Sequence, residues 1–189
     1  MDINGVSSPN QIGGNDIRVQ ASKTFGDEKA NATVGAFAAG STLGGPVVTG
    51  TFAQASANGH GLSVQRAHTP GIGSTLSAGA HANLFKNDTH AVSATAMHSR
   101  TQLQNDLKFD RSSIGVGYNH AQGHAAAVTA SRIPQFNMTT IDATAKANLW
   151  ASPGRATTLD MTGNATHHLS GPLAGKNNFG GALGFTHRF

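Results

Sequence analysis

Apolar and polar residues alternate along most of this chain. In Thr75 to Phe85, T-L-S-A-G-A-H-A-N-L-F, the residues Leu76, Ala78, Ala80, Ala82 and Leu84 recur at period two. Thr75, Ser77, Gly79, His81 and Asn83 fill the gaps. That period places one set on each face of a β-strand. The stretch returns as Thr140 to Trp150, T-I-D-A-T-A-K-A-N-L-W, with six of eleven positions identical. Leu76 gives way to Ile141, His81 to Lys146 and Phe85 to Trp150. The chain reads as a duplicated β unit.

The same alternation predicts strands at Ile17–Phe25, Ala30–Ala38, Val47–Ala55, Gly61–His68, Thr89–Arg100, Ile114–His120, Ala125–Arg132, Arg155–His167 and Phe179–Phe189. Turn residues separate them. Asn58-Gly59 is a strong hairpin signal, and Thr69-Pro70-Gly71, Lys86-Asn87-Asp88 and Ser152-Pro153-Gly154 punctuate in the same way. Residues 1 to 16 read as a loose polar lead-in, and Thr101 to Ser112 as a polar link between the two repeats. The expected fold is all-β: about twelve antiparallel strands in a meander, forming a closed or flattened β-barrel, or a sandwich-like collapse in water. Closure would remove exposed strand edges. Three parts follow: 1–45 with one hairpin, a first glycine-rich repeat at 46–112 and a second at 113–189.

Composition weakens the core this pattern can build. Hydrophobic residues make up 38%, much of it alanine, and there are 24 glycines. Apolar burial stabilises at roughly 25 cal/mol per Å², so small side chains contribute little, while ordering glycine costs extra entropy. The fold is expected to be marginal in plain water. The thirteen Lys and Arg are scattered through the chain rather than clustered, unlike a nucleic-acid-binding surface. Ten histidines would add ten charges to the formal +4 on full protonation, and they respond to mild acid.

With no cysteine there is neither a disulfide framework nor a thiolate metal site. No run of about 18 apolar residues suggests a membrane helix. Nothing at the start reads as a signal peptide, and Met1 before Asp2 reads as an added start on a mature secreted chain. N-x-Ser/Thr sequons stand at Asn31, Asn87, Asn137 and Asn164.

Catalytic patterns are missing. No G-x-S-x-G elbow occurs, and Glu28 is the single glutamate. Asp142 and Asp160 fall on neighbouring expected strands but form no recognisable acid pair. They read as solubilising charge on a polar face. His120 and His124 have an H-x-x-x-H spacing that suits a metal only on a helix, and Gly123 breaks it. His167 and His168 point to opposite faces of a strand. We expect no enzyme activity, no metal and no cofactor.

Several stretches together resemble one family. They are A-G-S-T-L-G-G-P-V near residue 40, N-G-H-G-L-S-V at 58–64, H-T-P-G-I-G at 68–73, A-N-L-F at 82–85 and A-N-L-W at 147–150. S-R-T-Q-L at 99–103, S-P-G-R-A-T-T-L-D at 152–160 and the terminal G-F-T-H-R-F complete the set. In order, spacing and duplication the chain resembles the attacins, glycine-rich antibacterial proteins of insects, in a fly-like form. The resemblance implies an N-terminal attacin segment followed by two glycine-rich domains. It implies secretion into haemolymph, from a precursor with a signal and a pro-segment, and a role in innate immunity against Gram-negative bacteria. The implied partners are lipopolysaccharide and the bacterial outer membrane. It supplies no catalytic residue.

The residues suggest how such contact would be made. Phe85, Trp150, Phe179, Phe185 and Phe189 sit near strand ends or on the last strand, where interfacial aromatics lie. Strands of about nine to eleven alternating residues match a bilayer-spanning barrel. The terminal pattern also resembles the last strand of outer-membrane proteins, which suggests those proteins or their assembly as a further partner. Lys86, Lys146, Arg155 and Arg188, beside aromatics or turns, offer partners for lipid phosphates. The other reading of the aromatics is as the few large core residues. The expected activity is therefore a secreted antibacterial effector acting on the outer membrane through amphipathic strands. The alternative is a soluble lipopolysaccharide-binding protein that leaves the bilayer intact. No nucleic-acid partner is expected.

Overall fold

The computed structural model describes residues 1–9 and 15–187. Twelve strands run in chain order: β1 (Asp2–Pro9), β2 (Asn15–Gly26), β3 (Ala30–Ser41), β4 (Val48–Ala57), β5 (His60–Thr69), β6 (Gly73–Lys86), β7 (His90–Leu103), β8 (Lys108–His120), β9 (Ala125–Ile133), β10 (Met138–Ala151), β11 (Thr157–Ser170) and β12 (Asn177–His187). They form one antiparallel meander in which each strand pairs with its sequence neighbours. Among the described residues the other regular elements are two short 3₁₀ turns, Pro134–Phe136 and Pro153–Arg155. The strands divide between two compact units, one holding Met1–Ala80 and Met97–Asp110, the other His81–Ala96 and Arg111–Phe189.

Three expectations need correcting. The sheet is not closed into a barrel, flattened or otherwise: the strand order starts at β1 and ends at β12 without returning. β1 is a poor template for closure, because Gly5 weakens it and Pro9 has no N–H to donate. The lead-in is not a loop over its whole length, since Asp2–Pro9 pairs with Asn15–Ser22 of β2. Ile3 and Val6 break the period of two there, so the pattern hides the strand. The polar link is shorter than expected as well. β7 runs on to Leu103 and β8 starts at Lys108, leaving a tight turn with Asp106 at φ 61.

Turn chemistry sets the hairpin registers. Asn58 and Gly59 adopt φ of 50 and 82, the left-handed pair that a two-residue hairpin turn requires. Asp27 Oδ1 accepts the backbone N–H of Lys29 (2.8 Å) and of Ala30 (2.9 Å). Asn87 Oδ1 does the same for Thr89 (2.9 Å) and His90 (2.7 Å). In both turns a short polar side chain mimics a backbone turn.

Burial is reversed from that of an ordinary soluble sheet. Among the described residues the only buried apolar side chain is Phe37, whereas Thr33, Ser131, Thr140 and His168 are buried polar ones. In the first unit Phe37 lies opposite Gly50, and Phe52 opposite Gly35. A Cβ on either glycine would come within 2.6 Å of the opposing ring, so each glycine is the seat of a phenylalanine across the strand pair. The Arg18 guanidinium caps the Phe37 ring at 4.0 Å.

The remaining polar face bonds to itself. Thr24 and Thr33 hydroxyls lie 2.9 Å apart, and Ser56 Oγ donates to Asn31 Oδ1 at 2.9 Å. In the second unit Ser131 meets Thr140 at 2.9 Å, and Thr166 Oγ1 donates to Asp142 Oδ1 at 2.6 Å. Pairing of this kind is what allows polar groups to be buried.

Candidate functional site

On the face opposite the sheltered polar side chains, apolar residues line up in rows across neighbouring strands. In the first unit the register lines up Phe25, Ala32, Ala55 and Leu62 across four strands. The adjoining row is Lys23, Val34, Ala53 and Val64. Phe25, Val34, Leu62 and Val64 are all exposed. Lys23 Nζ reaches over the Phe25 ring at 5.0 Å, keeping a cation beside the apolar rows.

The second unit repeats the arrangement. Val116, Val128, Ala143, Ala165 and Phe179 form one row across β8 to β12. Met161 lies opposite Leu183, and Leu159 between Trp150 and Phe185. A register shift between Asn148 and Trp150 turns Trp150 onto this face. Phe179 is 79% exposed, and Leu183 and Phe185 are each 70% exposed. Apolar patches of this extent mark interaction surfaces on proteins.

The aromatics singled out from sequence divide accordingly. Phe85 lies one residue before the end of β6 and is 52% exposed, as is Trp150. With Phe179 and Phe185 also exposed, none of these four is a core residue. The aromatic of the core is Phe37, which the sequence did not single out. Its signal was available, because Phe37 and Phe52 each stand two residues from a glycine on the same strand face. Phe189 and Arg188 lie outside the described residues.

The cations differ in their surroundings. Lys86 is exposed at the end of β6. Arg155 closes the 3₁₀ turn Pro153–Arg155, and its side chain lies outside those described. Lys146 sits on the polar face, 3.0 Å from Asp160 Oδ2. Asp160 also accepts from Asn148 Nδ2 at 2.9 Å. The Asn148 amide, then the Lys146 ammonium, hold its carboxyl below the usual carboxylate range. Asp142 is engaged separately by Thr166, so the two aspartates serve different local networks.

Histidines gather where β7, β8 and β9 meet in the second unit. His90 Nδ1 lies 2.7 Å from the Tyr118 hydroxyl, and its ring meets His120 edge-on at 4.9 Å between centroids. His124 follows at 5.7 Å from His120. His120 Nδ1 accepts the Gln122 N–H and His124 Nδ1 the Asn148 N–H. Among the described residues no group of three or more His, Asp or Glu side chains is arranged to hold a metal ion.

Two family descriptions match the chain: "Attacin, N-terminal region" over residues 3–68 and "Attacin, C-terminal region" over residues 70–189. The chain is similar to attacin-A of Glossina morsitans morsitans, 51% identical over 185 residues that cover 98% of this chain and 89% of the relative. It is also similar to attacin-B of Drosophila melanogaster, 42% identical over 188 residues, 99% of this chain and 86% of the relative. Sarcotoxin II-1 of Sarcophaga peregrina is more distant, at 23% over 214 residues, covering 94% and 80%. No solved structure matches.

Proposed function

The chain belongs to the attacin family, and from that premise we propose that it acts on the outer membrane of Gram-negative bacteria by laying its apolar sheet face into the bilayer. Attacins are secreted, non-enzymatic antibacterial proteins of insect immunity. Haemolymph is the medium in which this chain meets bacteria. The observation that carries the mechanism is the reversal of burial: Thr33, Ser131, Thr140 and His168 are sheltered while Leu62, Val64, Leu183 and Phe185 are open to solvent. In water that arrangement forgoes roughly 25 cal/mol for each Å² of apolar surface left wet. In hydrocarbon the same surface is recovered, and the hydroxyls of the polar face keep the hydrogen bonds they make within it.

Approach to the membrane is electrostatic. A formal charge of +4 draws the chain to anionic lipopolysaccharide. Lys86, Arg155 and Arg188 then meet its phosphates, while Phe85, Trp150, Phe179, Phe185 and Phe189 settle at the interface. Lys146 joins them only on leaving Asp160. The open edge of β12 offers a pairing partner to strands of outer-membrane proteins during assembly.

Dye release from vesicles containing lipopolysaccharide tests the insertion step. The chain is expected to release dye, and Val64→Asn to release several-fold less, with its strand signal in buffer unchanged because Val64 is a surface residue. Binding without release would overturn insertion in favour of a soluble lipopolysaccharide binder. Full release by Val64→Asn would remove the apolar face from the mechanism.

A further inference from the structure

The polar face of the second unit holds a cavity of about 220 Å³ that the envelope reading does not use. Arg111, Ser131, Thr140, Asp142, Thr166 and His168 supply its polar lining. β8, β9, β10 and β11 each contribute, so the site is assembled by strand order and not by any local motif. Arg111 Nη2 donates to Ser131 Oγ at 3.2 Å, and Ser131 and Thr140 share a hydroxyl contact. His168 is 8% exposed, and neither of its buried ring nitrogens has a hydrogen-bond partner. Leaving buried polar atoms unpaired is destabilising. The other buried polar side chains of this face are paired, so His168 is the exception that asks for an occupant.

The lining defines that occupant. Liquid water takes about 30 Å³ per molecule, so the cavity is larger than a single bridging water needs. It is smaller than the roughly 300–1,000 Å³ of sites for drug-sized ligands. Its formal charge balances, with one guanidinium against one carboxylate. A phosphate would face Asp142, and a divalent cation would face Arg111. A neutral molecule avoids both conflicts. Donors and acceptors are mixed in the lining: Arg111 only donates, Asp142 only accepts, and the hydroxyls do both. Hydroxyl groups satisfy such a mixture because each donates and accepts. Ile133 and Met138 complete the lining with apolar surface suited to C–H groups.

We propose that this cavity binds a neutral polyhydroxylated ligand the size of one sugar ring, with His168 and Asp142 hydrogen-bonded to its hydroxyls. The ligand is either a free monosaccharide or the terminal sugar of a longer glycan. This site stands apart from membrane insertion, so loss of dye release would leave it untouched.

Imidazole ¹H–¹⁵N NMR of the full chain in buffer tests the proposal, with His168→Gln identifying the His168 signals. The probes are glucose, galactose, mannose and N-acetylglucosamine, their methyl glycosides, and inorganic phosphate and magnesium chloride as charged controls. At least one sugar is expected to move the His168 signals saturably, and Asp142→Asn to weaken it by about tenfold or more. Thr140→Val gives a second reading should Asp142→Asn lose its strand signal. A methyl glycoside binding as well as the free sugar assigns the terminal residue of a glycan; loss of binding on methylation assigns the free sugar. His168 signals that no sugar moves would overturn the proposal, as would movement by phosphate or magnesium alone.

Discussion

At the scale of single residues, two kinds of site decide stability. The first is the glycine facing a phenylalanine. Gly35→Ala drives its Cβ against the Phe52 ring and the Ala21 carbonyl oxygen, and overpacking of this kind costs about 1–3 kcal/mol. Gly163 also lies within a strand, but a Cβ there meets nothing within 4 Å. Gly163→Ala is expected to be neutral or to stabilise by up to about 1 kcal/mol, since alanine loses less entropy on ordering. Urea midpoints of the two variants should therefore move in different directions, or one should stay still; a similar loss in both would show that glycine placement is not tied to Phe37 and Phe52. The second kind is the carboxylate held ionised. Asp160, bonded first by Asn148 and then by Lys146, has its folded pKa depressed. Its contribution is present above the unfolded value of about 3.9 and is lost as pH falls through the lower folded value. Asp160→Asn should be less stable than the parent at neutral pH, and the gap should close in acid below the ordinary aspartate range. Melting temperature against pH reads this directly, and a gap that persists unchanged into that range would contradict it.

At the scale of strands and turns, the Asn87 turn makes its own prediction. Asn87→Ala removes the one side-chain oxygen that accepts two backbone N–H hydrogen bonds, each worth about 0.5–1.5 kcal/mol. The β6–β7 hairpin should then exchange its turn amides faster, with Thr89 and His90 showing the change first; unchanged exchange there would mean the backbone turn holds without its cap. The same element shows how far the sequence could be read. Thr75–Phe85 and Thr140–Trp150 alternate without interruption and became β6 and β10. The turns at Asn58-Gly59 and Asn87 were legible because their residue types serve few other conformations. β1 and the start of β8 were not, since Ile3 and Val6 are three apart and Lys108-Phe109-Asp110-Arg111 reads as polar linker. Alternation also says nothing about which face is sheltered, so the outward rows of Leu62, Val64 and Leu183 could not be identified from it. The cavity around His168 was invisible for another reason: Arg111, Ser131, Thr140 and His168 become neighbours only through pairing of four strands. From sequence, His168 carried no signal beyond its adjacency to His167.

At the scale of the whole molecule, composition and fold answer to the same physics. Alanine and glycine cannot fill a core, and the sheet accordingly shelters hydroxyls bonded to one another, seats Phe37 against Gly50, and leaves large apolar residues such as Leu62, Leu183 and Phe185 outside. Such a chain gains stability from an apolar phase and not from water. Trp150, the single tryptophan, reports this because it stands 52% exposed on the outward face, opposite Leu159 and close to the Met161–Leu183 pair. Adding detergent micelles should shift its emission to the blue, protect it from aqueous quenchers and raise the unfolding temperature. Leu183→Asn, which alters the same face without touching the polar one, should reduce all three effects while keeping the strand signal in buffer. Circular dichroism recorded in parallel separates two routes to that outcome. Strand signal already complete in buffer means a preformed sheet docks by its face, whereas strand signal that grows with micelles means the envelope completes the fold. Emission unaltered by micelles would exclude both, because the outward apolar rows would then have no affinity for the phase they resemble.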